Sequence, residues 1–280
     1  MTHQHGDVVI VYHEEFAYDL PNLQTILREE LTQLPLALPA DAQVQTMVRA
    51  DVTAERLRHA GLVVAYGGDG TLLSVSHYVR RTPVLHVHSS GPGSVGHFAA
   101  ADLRGLRPAL RAGMVLASVP RLAASITSST GHSSSVDLAL NEYYIGNRVP
   151  WHATKLRISA DGGPPVPVTS SGLLACTLAG YSGWASHVTH LPLSEFLQRH
   201  GGGLGRFCYV LREPMEESPP LSGLASVLEI EAVGGFGSVV PDAYDEFTYK
   251  RHDRIRIEVA TDSPLQLVRP KGVAPLSASL

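Results

Sequence analysis

The chain has 280 residues, of which 44% are hydrophobic and 17% charged, the composition of a globular protein with a buried core. The formal net charge is −4 and like charges do not cluster, which disfavours binding to nucleic acid or to a membrane surface. No segment approaches the roughly 18 consecutive apolar residues of a membrane span, and the opening residues lack the features of a targeting signal. Two widely spaced cysteines, Cys176 and Cys208, indicate neither a disulfide framework nor a zinc site, so a cytoplasmic location is expected.

The first third of the chain alternates short apolar runs with segments of helical periodicity. Strands are predicted over residues 8–12, 44–48, 62–66 and 83–88, and helices over 21–34, 53–60 and 71–79. Continuous apolar strands separated by helices are typical of a parallel sheet that is covered on both faces. The sequence therefore predicts an α/β domain over residues 1–110, with a Rossmann-like parallel sheet.

The pattern changes after about residue 115, where strand-like stretches follow one another with turns between them. These stretches cover residues 114–126, 136–145, 153–160, 173–177, 224–233 and 254–259. Apolar residues alternate with charged ones in the last of them, which indicates one buried and one wet face. We expect a β-rich, sandwich-like domain over residues 111–268, a C-terminal tail over 269–280 that packs back on the first domain, and an active site in the cleft between the two domains.

The most informative residues are Gly67-Gly68-Asp69-Gly70-Thr71, which stand where the third predicted strand ends and a helix begins. At such a junction the backbone N–H groups and the positive end of the helix dipole form an anion site, and glycines let a phosphate approach the backbone. A carboxylate repels a polyphosphate, so Asp69 indicates binding of Mg²⁺, acceptance of a proton from an attacking hydroxyl, or both. Thr71 is expected to cap the helix or to touch phosphate.

Two other interpretations of this turn are a different phosphate-binding motif and a purely structural turn. The run lacks the lysine of a P-loop and the spacing of GxGxxG, so neither of those motifs applies. A tight turn in which Asp69 merely caps the following helix is the structural alternative.

These five residues resemble the signature of a superfamily that contains the NAD kinases, the diacylglycerol and sphingosine-type lipid kinases and, more distantly, the phosphofructokinases. Asn141-Glu142, followed by an apolar stretch, resembles the Asn-Glu segment of the NAD kinases. By this resemblance the two residues hold the ribose hydroxyls or the adenine edge of NAD. An amide and a carboxylate can together donate to and accept from a vicinal diol.

Further runs resemble the mitochondrial-type branch of the NAD kinases. They are VLHVH at 84–88 with GSVGHF at 93–98, SSGLLACT at 170–177, and LREP at 211–214. The similarity extends from about residue 8 to about residue 268. The resemblance implies that the NAD pocket is lined by Thr177, Gly180, Ser182 and Trp184, with weaker candidates in His88, His97, Arg212 and Asp242.

The chain departs from the family pattern at two places. In the segment LAGYSGW at 178–184, Ala179 replaces a threonine and Tyr181 a serine, although Gly180 and Trp184 keep their places. His88 replaces the asparagine of a Gly-x-Asn triplet. Because the replaced hydroxyls line the dinucleotide site in the family, the contacts to the acceptor are expected to differ.

The resemblance implies an NAD kinase. Such an enzyme transfers the γ-phosphoryl group of ATP, or of another phosphoryl donor, to the 2′-hydroxyl of the adenosine ribose of NAD(H), giving NADP(H). Asp69 is the expected catalytic residue, and Mg²⁺ is expected to arrive with the triphosphate rather than in a fixed protein site. ATP and NAD(H) are the expected partners, and a homodimer or homotetramer is implied by analogy. The alternatives are a lipid kinase of the same superfamily and a non-catalytic NAD(P)-binding sensor.

Overall fold

The computed structural model describes residues 6–39, 41–89, 96–149, 151–202, 205–215, 218–219 and 221–273. It divides into two compact units. Among the described residues, the first runs to Val119 and takes in residues 263–273, and the second spans Pro120–Asp262. The first unit thus extends beyond residue 110, where the sequence placed its end. Residues 274–280 of the predicted tail and residues 93–95 of the GSVGHF run lie outside the described residues.

The first unit alternates strands and helices along most of its length. Its elements are β1 (Val8–Tyr12), α1 (Leu20–Glu30), β2 (Val44–Val48), α2 (Ala54–Leu57), β3 (Leu62–Gly67), α3 (Asp69–Tyr78), β4 (Val84–His88), β5 (Ala101–Asp102), α4 (Leu103–Ala112) and β6 (Met114–Val119). Short 3-10 turns occupy Glu14–Asp19, Leu31–Gln33 and Arg49–Asp51. The helix predicted over 21–34 therefore ends as α1 at Glu30 and continues only as a 3-10 turn.

The second unit is built almost entirely of antiparallel strands. Its elements are β7 (Leu122–Thr127), β8 (Ser133–Ala139), β9 (Glu142–Asn147), β10 (Thr154–Ala160), β11 (Val166–Ser170), β12 (Gly172–Cys176), α5 (Trp184–Thr189), α6 (Leu193–His200), β13 (Phe207–Arg212), β14 (Ser222–Ala225), β15 (Val227–Ala232), β16 (Gly237–Pro241), β17 (Phe247–Tyr249) and β18 (Arg254–Val259). They form two six-stranded sheets, in the orders β11-β10-β15-β18-β7-β8 and β14-β13-β12-β9-β16-β17.

One buried core joins these two sheets. Leu156, Ile230 and Ile257 come from the first sheet, and Tyr143 and Leu173 from the second. The opposite face of the second sheet packs against residues of α5 and α6. Each strand therefore alternates its side chains between two environments, which is the pattern of a β-sandwich.

The last strand, β19 (Leu265–Pro270), returns to the sheet of the first unit, whose strand order is β2-β1-β3-β4-β19-β6, with β5 on β4. Strands β1 to β4 and β19 run parallel, and β6 is antiparallel to β19. All six residues of β3 are buried, as expected for a strand inside a parallel sheet. The predicted fold class, an α/β domain with a β-rich sandwich, is confirmed. Among the described residues no helix is long and apolar enough to cross a membrane.

Three stretches that the sequence presents as continuous are each two strands. Residues 114–126, 136–145 and 224–233 are interrupted near Pro120, at Leu140-Asn141 and at Ser226. A single apolar run does not reveal where one strand ends and the next begins when the connecting residues are themselves buried, as Leu140 is. The second of these turns carries one of the two motifs on which the function depends.

Candidate functional site

The glycine turn joins the end of β3 to the start of α3. Gly67 ends the strand with φ +155°, a backbone conformation that side chains rarely adopt, and a Cβ there would collide with the Thr71 hydroxyl. Gly68 is the N-cap residue and Asp69 the first residue of α3. Thr71 is buried and its backbone N–H bonds to the carbonyl of Gly68, so it closes the turn from the inside. The first N–H groups of α3 lie at the carboxyl end of the parallel sheet, as predicted for an anion site.

Asp69 does not cap its own helix. Its two carboxylate oxygens accept hydrogen bonds from the backbone N–H groups of His97 (3.0 Å) and Phe98 (3.3 Å), and no side chain caps α3. The side chain of Asp69 remains 17% exposed, so its oxygens keep access to a ligand. Asp69 therefore connects the glycine turn to the segment that follows β4.

His86 is a further residue of this site, which the sequence analysis named only within the VLHVH run at 84–88. Its ring is fully buried on β4, with Nε2 3.2 Å from the carbonyl oxygen of Gly67 and Nδ1 3.7 Å from Oδ1 of Asp69. Burial lowers the pKa of His86, against the opposing effect of the Asp69 charge. A neutral ring whose Nε2–H donates to Gly67 leaves Nδ1 directed at the carboxylate, and Nδ1 has no hydrogen-bond partner among the described residues.

The weaker candidates His88 and His97 take different positions. His88 ends β4, and its ring lies where a Cβ on Gly96 would be only 2.8 Å away, so Gly96 permits the close packing of this segment. His97 is exposed, and its ring is in edge contact with Phe98. It is the backbone of His97, not its side chain, that bonds to Asp69.

In the second unit, Asn141 and Glu142 lie at the turn between β8 and β9. The carboxylate of Asp242 accepts N–H groups from Leu140 (2.8 Å), Asn141 (2.7 Å) and Glu142 (3.1 Å). Asp242 is itself buried at the end of β16 with φ +49°, and its N–H bonds back to the carbonyl of Glu142. Asp242 thus fixes the backbone of the Asn-Glu turn from a position about a hundred residues away.

This turn has unusual electrostatics. Burial, and secondarily the charge of Asp242, raises the pKa of Glu142 to about 8. Burial also raises the pKa of Asp242 to about 6, opposed by its three backbone hydrogen bonds and by the fully buried Arg121. At neutral pH Glu142 is therefore protonated while Asp242 is ionised, and the Glu142 carboxyl can donate as well as accept a hydrogen bond.

The polar atoms of Asn141 and Glu142 converge near one glycine. A Cβ on Gly183 would lie 3.6 Å from Nδ2 of Asn141 and 3.7 Å from Oε2 of Glu142. Oδ1 of Asn141 and Oε2 of Glu142 are buried without a hydrogen-bond partner among the described residues. Buried polar atoms are normally satisfied, so these two groups are candidates for ligand contacts.

Thr177 and Gly180 stabilise the Asn141-Glu142 turn by contacts with its backbone. The Thr177 hydroxyl donates to the carbonyl of Leu140 (2.7 Å) and accepts the N–H of Gly180 (2.8 Å), and its N–H donates to the carbonyl of Asn141 (2.8 Å). Gly180 contacts the backbone of Asn141 so closely that any side chain would collide with it. Ser182, in contrast, is exposed.

Trp184 and Arg212 form a stack with Tyr144, which the sequence did not single out. The Trp184 and Tyr144 rings are 5.5 Å apart at 26°, and the Arg212 guanidinium lies 4.5 Å from the centre of the Trp184 ring. The Tyr144 ring lies against two glycines, Gly146 and Gly172, and a Cβ at either glycine would collide with the ring. The signal for Tyr144 is its place two residues after Glu142, on the same strand.

The structure groups the predicted residues into two sets. Gly67, Gly68, Asp69, Gly70 and Thr71 meet His86, His88 and the backbone of His97 in the first unit. Asn141, Glu142, Thr177, Gly180 and Asp242 meet in the second unit, with Trp184 and Arg212 stacked on Tyr144. Over the described part of the chain, no group of three or more His, Cys, Asp or Glu is arranged to hold a metal ion.

Comparison with known proteins gives two kinds of finding. No family model matches the chain. It is 27% identical over 192 residues to the mitochondrial NAD kinase 2 of Rattus norvegicus, a match that covers 53% of this chain and 45% of that protein. It is also 27% identical over 134 residues to the NAD kinase of Burkholderia mallei, covering 47% and 45%. The matched region thus spans less than half the length of these curated relatives.

Solved structures resemble the chain over nearly all of its length. An NAD kinase from Archaeoglobus fulgidus in complex with ATP has a TM-score of 0.68 at 20% identity, covering 95% of this chain and 93% of that one. Yeast NADH kinase in complex with NADH has a TM-score of 0.68 at 18% identity, covering 94% and 83%. The fold is that of the NAD kinases, and the predicted resemblance to that family is confirmed.

Proposed function

We propose that this chain, which has the fold of the NAD kinases, is itself an NAD kinase that transfers the γ-phosphoryl group of ATP to the 2′-hydroxyl of the NAD(H) adenosine ribose. The observation that carries the proposal is the placement of Asp69. Its carboxylate stands in the first turn of α3, partly exposed and held by two backbone N–H groups, beside the glycines of an anion site. A pure phosphate-binding turn would gain nothing from a carboxylate at this point.

The first unit holds the donor. The N–H groups of the Gly67–Thr71 turn and the positive end of α3 favour a triphosphate. Mg²⁺ bound to the triphosphate would neutralise part of its charge, and we expect the ion to arrive with the substrate. Asp69 is the carboxylate of the turn that can approach such an ion.

The second unit holds the acceptor. Asn141 places its amide nitrogen, and Glu142 a buried, unpartnered oxygen, beside Gly183. A vicinal diol both donates and accepts, which suits an amide beside a protonated carboxyl group. Trp184 packs against Tyr144 and Arg212 and remains 37% exposed, and its exposed aromatic surface suits a flat ring of the dinucleotide. Thr177, Gly180 and Asp242 act by fixing the Asn141-Glu142 turn.

In the reaction, the 2′ oxygen attacks the γ-phosphorus and its proton passes to the carboxylate of Asp69. The bond between the γ-phosphorus and the bridging oxygen breaks, and ADP leaves with the electron pair. Phosphoryl transfer demands little covalent chemistry from the protein, so most of the rate comes from alignment and charge neutralisation.

Two further features belong to this proposal. The two cysteines are free and buried, which agrees with a reducing compartment such as the cytoplasm. Assembly as a homodimer or homotetramer follows only from the resemblance to the family. The lipid kinase alternative is disfavoured because the relatives and structures reported above are NAD or NADH kinases.

A coupled assay for NADP formation from NAD, ATP and Mg²⁺ tests the proposal. Asp69→Asn should lower kcat by about a thousandfold or more, because an amide cannot take the proton. Asp262→Asn, a change at an exposed aspartate of the second unit, is the matched control and should leave kcat unchanged. If the native chain binds NAD in calorimetry but forms no NADP with any triphosphate, it is a non-catalytic binder and the kinase proposal is wrong.

A further inference from the structure

The glycine turn carries a carboxylate and no cation, although the donor that we propose for it is strongly anionic. The P-loop solves the same problem with a lysine inside its motif, and this turn has none. A cation that serves the turn must therefore come from another element of the first unit.

Arg49 stands at the right edge of the sheet. It opens the 3-10 turn Arg49–Asp51, which begins directly where β2 ends. Because β2 is parallel to β1, and β1 to β3, the carboxyl ends of β2 and β3 lie on one edge of the sheet, where ligands of such folds bind.

The guanidinium group of Arg49 lies over the first turn of α3. Its Nη1 is 3.6 Å from the point that a Cβ on Gly70 would occupy and, apart from the adjacent residues and the backbone of α3, it is the described group closest to that point. Gly70 is exposed, so the space between its Cα and the guanidinium opens to solvent. The absent side chain at Gly70 leaves room for an oxygen atom between the arginine and the N–H groups of the helix.

Arg49 is not used elsewhere. It is half-buried, and it makes no ion pair or side-chain hydrogen bond within the part of the chain that the structure describes. The nearest acidic residue in sequence, Asp51, pairs with Arg56 at 3.7 Å. A partly buried arginine without a carboxylate partner is typical of a site that binds an anion.

A second unsatisfied group points at the same turn. His86 is fully buried, and its Nδ1 has no hydrogen-bond partner among the described residues, although it faces the Asp69 carboxylate at 3.7 Å. In the neutral ring Nδ1 is an acceptor, so His86 marks a position beside Asp69 that a donor group would complete, while Arg49 is the group at the turn that can bind phosphate oxygens.

We propose that Arg49 binds the phosphate groups of the donor and supplies the cation that the glycine turn lacks. The inference rests on the proposed function and deepens it, since it names the residue that recognises the triphosphate. A guanidinium can give two parallel N–H bonds to phosphate oxygens, and it does so whatever base the donor carries. Arg49 is a binding and positioning residue for the donor, with no role in holding NAD.

The test compares Arg49→Gln with Arg56→Gln, which removes the same charge from an exposed arginine nearby. Arg49→Gln should raise KM for ATP by about 10- to 100-fold and leave KM for NAD unchanged. Arg49→Lys keeps the charge but cannot give two parallel N–H bonds to phosphate, so its KM for ATP should fall between those of Arg49→Gln and the native chain. Arg56→Gln should change neither constant by more than about twofold.

Calorimetry with Mg-ATP, inorganic tripolyphosphate and adenosine, in the absence of NAD, separates the two proposals. Loss of ATP and tripolyphosphate binding in Arg49→Gln, with any adenosine binding retained, supports the inference even if the native chain forms no NADP. Unchanged binding of both phosphates, or an equal loss of adenosine binding, overturns it. If Arg49→Gln lowers Tm, Arg49→Lys decides the question in the same titrations.

Discussion

Two carboxylates of this chain accept backbone N–H groups from a distant turn, and they differ in what surrounds them. Asp242 is buried and takes three N–H groups of the Leu140–Glu142 turn, with the buried Arg121 as its countercharge. Asp69 takes two N–H groups of the segment after β4 but keeps 17% of its side chain exposed. Hydrogen bonds from backbone N–H groups thus give the buried carboxylate a structural role, whereas they hold the accessible carboxylate in position for reaction.

The variant Asp242→Asn tests this difference between the two carboxylates and has the largest expected effect. The change removes the carboxylate charge near the buried Arg121 and replaces one of the two oxygens that accept N–H groups of the Asn141-Glu142 turn. We expect the free energy of unfolding to fall by about 3–5 kcal/mol, whereas Asp69→Asn should cost about 1 kcal/mol or less. Urea unfolding of the two variants measures this directly. Equal losses of stability in the two variants would mean that the role of Asp69 is also mainly structural.

Glu142 gives a prediction that depends on pH. Its pKa is raised from 4.5 to about 8, so the folded state binds this proton more tightly than the unfolded state. The stability that comes from the bound proton is fully present below about pH 4.5 and is lost as the pH rises through about 8. Glu142→Gln cannot ionise, so it should be more stable than the native chain by about 2–4 kcal/mol at pH 9.

That difference should shrink as the pH falls and vanish at about pH 4.5, in unfolding curves recorded across the range. Glu229→Gln, at an exposed glutamate of β15, is the control and should show no such trend. A Glu142→Gln variant with the same pH dependence as the native chain would show that this carboxyl group is ionised when folded.

Two glycines of the turn that carries Asp69, Gly67 and Gly70, give the smallest expected effects and test the comparison further. Gly67→Ala should destabilise the first unit by about 1–3 kcal/mol, because φ is +155° and the new Cβ meets the Thr71 hydroxyl. Gly70→Ala should unfold like the native chain, since its Cβ meets only Nη1 of Arg49 at 3.6 Å. It should instead raise KM for ATP several-fold, and an unchanged KM would argue against a phosphate in that space.

Much of the fold could be predicted from residue patterns. The strands at Val8–Tyr12, Val44–Val48 and Arg254–Val259 have the predicted bounds, because each is an apolar or alternating run that ends in polar residues. The breaks between strands near Pro120, at Leu140-Asn141 and at Ser226 were missed, and the strands on either side of each break belong to different sheets. Their neighbours are as apolar as the strands, so periodicity gives no sign of the turn.

The candidate site divides in the same way. The glycine turn and the Asn-Glu turn are short motifs, contiguous in the chain, and both could be located from local sequence. Asp242 was predicted as a pocket residue only by resemblance, and its hydrogen bonds to the turn at Leu140 depend on strand pairing across the second sheet.

The sequence by itself therefore determined the two fold classes, the alternation of strands and helices in the first third of the chain and the positions of both motifs, because hydrophobic period and turn chemistry are local properties. Only the tertiary structure decided what surrounds the motifs. Arg49 over Gly70, His86 beside Asp69 and Tyr144 under Trp184 are contacts between separate elements. Strand register and packing create such contacts, and no single stretch of sequence encodes them.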